Sequence, residues 1–126
     1  MYILSAKFKK PFNEVEKDVI ENLKKEGFGI LTEIDVQKTL KKKLMVDSHK
    51  YKILGACNPP FAYEALLADP DIGTLLPCNV IIREEQNEVV VSAMKPTIMK
   101  DITHNDTIAH IAKIVEQKLQ RVINSL

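Results

Sequence analysis

Residues Tyr51 to Cys57 form a largely apolar run, and Asn58-Pro59-Pro60 interrupts it before Phe61-Ala62-Tyr63 resumes in a helical pattern. That junction admits one local reading, a strand running straight into a helix. Asparagine is a good N-cap, and proline suits the first helical position, where a missing N–H costs nothing. The free N–H groups of such a first turn point near the Cys57 thiol. Together with the partial positive charge of the helix end, they favour a thiolate or a bound anion. Cys57 is therefore the candidate reactive group, and the turn at Asn58 the candidate anion site.

The rest of the chain supplies partners for this strand–helix unit. Residues 2–7 suit a first strand, and Pro11-Phe12-Asn13 predicts a helix over 13–26, with Asn13 as N-cap and Glu16 at the capping-box position. Gly27 is its left-handed stop. A second strand follows over 28–34, with Phe28, Ile30, Thr32 and Ile34 on one side and Leu31 and Glu33 on the other. Asp35 or Thr39 then caps a lysine-rich helix with a narrow stripe of Val36, Leu40 and Leu44. After the helix that begins at Pro59 and ends near Asp69-Pro70, residues 75–83 and 88–94 read as a hairpin. Ile108, Ile111, Val115, Leu119 and Val122 mark a strong final helix capped by Thr103 or Asn105. The expected fold is a two-layer α+β sandwich in one domain, residues 1–126: a mostly antiparallel sheet of about five strands with helices packed on one face.

A chain of 126 residues buries roughly two-thirds of the surface its unfolded form exposes and needs no disulfide or metal staple. Lysine and arginine total 18 against 17 acidic residues, so net charge makes no case for nucleic acid or an anionic membrane. The N-terminal residues lack the pattern of a signal peptide, and no apolar stretch reaches the length of a membrane span. The expected location is cytoplasmic, with Cys57 and Cys78 reduced and matching no zinc spacing. No metal or cofactor is expected.

Four strings carry a resemblance: Thr32-Glu33-Ile34-Asp35-Val36-Gln37, Lys41-Lys42-Lys43-Leu44, Leu54-Gly55-Ala56-Cys57-Asn58-Pro59-Pro60 and Leu75-Leu76-Pro77-Cys78-Asn79-Val80. Together and in this order, the chain resembles the domain of unknown function 302 family over nearly its full length. The resemblance implies a two-layer α+β fold in a small bacterial or archaeal protein and no particular reaction. Two loops depart from the family pattern. A glycine usually follows the lysine-leucine run where this chain has Met45, and an acidic residue often stands in place of Lys95.

Function divides between classes. The first reading is a binding module for a small anionic ligand, with Glu33, Lys42, Cys57, Asn58 and Asn79 around the helix start. The second is a thiol-dependent enzyme or redox protein using Cys57, against the plainer alternative that this cysteine simply packs where strand meets helix. The third is a structural protein that self-associates. Lys38, Lys41, Lys42 and Lys43 read more simply as a solvated helix face than as an anion clamp. His49, His104 and His110 share no ligand spacing. If the helix after Pro59 is a simple crossover, parallel strands would set Cys57 and Cys78 at opposite edges of the sheet; a returning connection would make the strands antiparallel. Apolar residues on both faces of several strands, Ile53 against Leu54 and Ile81 against Val80 and Ile82, predict that a second subunit, or a helix wrapping round from the C-terminus, covers the face that the other helices leave open; the preferred reading is a homodimer.

Overall fold

The two-residue turn Gln86-Asn87, with φ of 47° and 67°, joins strands β4 (Cys78–Glu85) and β5 (Glu88–Met94) as a tight hairpin. Positive φ at both turn residues matches the right-handed twist of the flanking strands. The computed structural model describes residues 1–126. Its remaining strands are β1 (Ile3–Phe8), β2 (Gly29–Asp35) and β3 (Tyr51–Cys57), giving one sheet in the order β1-β5-β4-β3-β2 with every neighbouring pair antiparallel. The helices are α1 (Phe12–Lys25), α2 (Val36–Leu44), α3 (Pro59–Ala68), α4 (Ile98–Thr103) and α5 (Asp106–Asn124), with a 3₁₀ segment at Pro70–Leu75.

Alternation along the strands decides which face the helices cover. Leu4, Leu54, Ala56, Val80, Ile82, Val89, Val91 and Ala93 point one way and are buried. Against them lie Val15, Val19 and Leu23 of α1 and Ile108, Ile111, Val115, Leu119 and Val122 of α5, each set recurring at helical spacing. The result is the α+β sandwich expected, with one contiguous core between sheet and helices. Helix α2 buries no residue.

Three local expectations need correction. Helix α1 starts at Phe12, not at Asn13, and no side chain caps it; the Pro11 carbonyl accepts from the N–H groups of Glu14 and Val15. Phe12 is buried, so core packing draws it into the first turn. Glu16 does not close a capping box but accepts from Lys52 Nζ at 2.9 Å. Strand β2 contains a bulge between Ile30 and Thr32, so Ile30 faces Ala56 on the core side while Thr32 and Ile34 face outward and Glu33 turns back toward Leu54. The extra residue breaks strict alternation and splits the set predicted to share a side. Asp35 and Asn105 do cap α2 and α5, accepting from the N–H groups of Lys38 and Ile108.

Candidate functional site

The strand–helix junction forms as expected, but its chemistry differs. Asn58 occupies the N-cap of α3, yet its side chain accepts nothing from the helix. It is buried and donates from Nδ2 to the Glu26 carbonyl at 3.1 Å, tying the end of α1 to the start of α3. Gly27 takes φ of +87°, and a Cβ there would stand 3.1 Å from Asn58 Nδ2, so its role as a left-handed stop also leaves room for this amide. Pro59 and Pro60 lack N–H groups altogether. Two of the donors that a helix start normally presents to an anion do not exist here, and the Ala62 N–H is already bonded to the Asn58 carbonyl.

The other residues expected beside Cys57 lie elsewhere. Glu33 accepts from Lys52 Nζ at 2.9 Å, and the same ammonium bridges to Glu16; its pKa is raised by hydrogen bonds first to Glu16 and then to Glu33. Lys42 is exposed on α2 and makes no ion pair. Asn79 is exposed on the sheet face away from the helices, opposite Gly55. Of the five, only Cys57 and Asn58 line a common space.

That space is a cavity of about 350 Å³ between α3, the Pro70–Leu75 segment, α4, α5 and the adjoining ends of β3 and β4. Ala56 and Cys78 contribute from the sheet, Phe61 and Ala65 from α3, Met99 from α4, and Ile111 and Val115 from α5. Sixteen of its twenty lining residues are hydrophobic. The volume exists because Ala56, Ala62, Ala65, Gly73 and Ala112 stand where larger side chains would close it. In α3 itself apolar residues occupy every side: Ala65 is buried while Tyr63, Leu66 and Leu67 remain exposed. A helix apolar on nearly every side, with Ala62, Ala65 and Ala68 at three-residue spacing, was the part of this cavity's signal that the sequence carried.

The two thiols are neighbours, contrary to the parallel-crossover argument. The long connection through the 3₁₀ segment returns the chain, β3 and β4 run antiparallel, and Cys78 pairs with Ala56, the residue before Cys57. Both cysteines are free and line the cavity. Burial pushes the Cys78 thiol up to about 11, with a further increase from Cys57 beside it. Cys78 is thus a neutral, inert group near pH 7. No histidine lines the cavity, so neither thiol has an imidazole beside it as a general base.

The model of the family described as domain of unknown function DUF302 matches residues 4–126. Among solved structures, the chain is similar to the crystal structure of an uncharacterized conserved protein DUF302 from Bacillus stearothermophilus. The two share 27% sequence identity with a TM-score of 0.93, over 99% of this chain and 98% of that one. No curated protein matches.

Proposed function

We propose that this chain, which belongs to the family described as domain of unknown function DUF302, is a binding module for a small, mainly apolar molecule held beneath α3. The cavity of about 350 Å³ carries the reading. It falls within the range of about 300–1,000 Å³ typical of small-molecule sites, and its apolar lining gives water few hydrogen-bond partners. Helix N-terminal binding of a simple anion, the alternative at the same junction, has little support once Pro59 and Pro60 have removed their donors. A thiol-dependent reaction has less, because the buried Cys78 thiol stays protonated and no imidazole adjoins Cys57. Free cysteines agree with work in the reducing cytoplasm. No helix of the protein is long and apolar enough to cross a membrane.

Titration with a neutral naphthylamine fluorophore tests the cavity. Saturable binding at one dye per chain is expected, and Ala65→Leu, which fills part of the space, should weaken it at least tenfold while far-UV circular dichroism stays unchanged. A dye signal that rises linearly without saturation, or one untouched by Ala65→Leu in a folded protein, would count against this site.

A second observation favours self-association. On the face away from the helices, Ile34, Ile53 and Ile81 form one cross-strand row, continued by the hydroxyl pair Ser92 and Ser5 at 3.0 Å. Ile34 is 48% exposed and Ile53 and Ile81 are half-buried, while Ser92 is already buried. Two copies placing these rows together would remove that apolar surface from water, and a two-fold pair is the commonest closed assembly. Sedimentation equilibrium at micromolar concentration should give twice the chain mass, and Ile81→Asp should give monomers; a monodisperse wild-type monomer would refute the pair.

A further inference from the structure

We infer that the ligand of the cavity beneath α3 carries an anionic head at one end of its apolar body, held by Lys118, so that its class is a medium-chain carboxylate or similar amphiphile. The inference rests on the cavity reading above and adds a chemical polarity to it. Val115 of α5 lines the cavity, and Lys118 lies three residues further along the same helix, on the neighbouring surface. Its Nζ stands 5.9 Å from the centroid of the Phe61 ring, and Phe61 is itself part of the cavity wall. The ammonium thus lies against the ring of one wall residue, in the range of a cation–π contact.

The charge around it is complementary to an anion. Lys118 makes no ion pair, whereas one turn further on Arg121 is committed to Glu26 at 2.8 Å. Lys118 and Arg121 both lower the Glu26 pKa, the hydrogen bond from Arg121 being the largest cause. Three charges thus share this corner, two positive and one negative, and Lys118 is the one that makes no direct ion pair. The exposed Glu64 of α3 does not pair with it. An unbranched carboxylate satisfies both halves of the arrangement: its chain replaces unfavourable water against apolar side chains, and its head supplies the direct ion pair that Lys118 lacks.

Calorimetric or dye-displacement titration with saturated carboxylates of increasing length, each compared with the alcohol of equal length below its micelle concentration, tests this. Affinity should rise about fourfold per added methylene until the cavity is full. The acid should bind at least fivefold more tightly than the matched alcohol, and the gap should shrink with added salt. Lys118→Met, which keeps the stem over Phe61, should bring the acid down to the alcohol, and Lys118→Arg should keep the preference. Equal binding of acid and alcohol by the wild type, unaffected by Lys118→Met, would overturn the anionic head and leave the apolar cavity standing. Binding of neither would overturn both.

Discussion

Replacing Gly55 by alanine should cost roughly 3 kcal/mol or more, at the upper end of what overpacking usually costs. Gly55 is buried in the middle of the sheet, and its need is close approach rather than an unusual backbone angle. A Cβ there would collide with Thr32 Oγ1 from β2 and come within 2.8 Å of Pro77 Cγ from the segment entering β4. The proline ring cannot swing aside as a lysine tail could. Urea unfolding of the alanine variant should show a lower midpoint with an unchanged slope, and its melting temperature should fall by roughly 10 °C. Adding Thr32→Ala should recover a measurable part of the loss, because it removes one of the two obstacles but not the ring. If Gly55→Ala unfolds within about 0.5 kcal/mol of the wild type, the packing described around β3 is wrong.

Alkaline conditions should expose the burial of Cys78. Burial pushes its thiol up to about 11 in the folded chain from an ordinary value of 9.0, so the fold favours the protonated form. The stabilisation linked to this group is complete below pH 9, declines as pH rises between the two values, and is gone above about pH 11. That difference corresponds to about 2–3 kcal/mol. Lysines and tyrosines titrate over the same range, so the informative quantity is the difference between the wild type and Cys78→Ala measured side by side. The wild type should lose about 2–3 kcal/mol relative to the variant from pH 8 to pH 11. Parallel pH curves would show that Cys78 is accessible to water.

The elements were legible where one local rule acted alone. The hairpin at Gln86-Asn87, the caps at Asp35 and Asn105 and the stripe of α5 each depend on neighbours within a few residues, and all formed as expected. The α1 start failed because burial of Phe12, a tertiary effect, outweighed the capping preference of Asn13. The β2 faces failed at Leu31, since a bulge leaves little trace in alternation until the partner strand is known.

The candidate site was legible in position and misleading in chemistry. Cys57 and Asn58 do border the main cavity, yet Asn58 spends its amide on Glu26, 32 residues away, and the two prolines that mark the helix start also remove its donors. The latter fact was present in the sequence. The cavity itself depends on alanines from three separate segments, Ala56, Ala65 and Ala112, and no single stretch of sequence contains that coincidence.

The strand order also sets a hierarchy in time. Strands β2, β3, β4 and β5 are each adjacent in space to the next in sequence, so their loops can close one after another as the chain collapses. Strand β1 has no such route. It pairs only with β5, Ile3 opposite Met94, across almost the whole intervening chain, and it occupies an edge. The amino-terminal strand should therefore be the last ladder to zip up and among the first to open, and its amides should exchange with solvent through a smaller opening than those at the centre of β4.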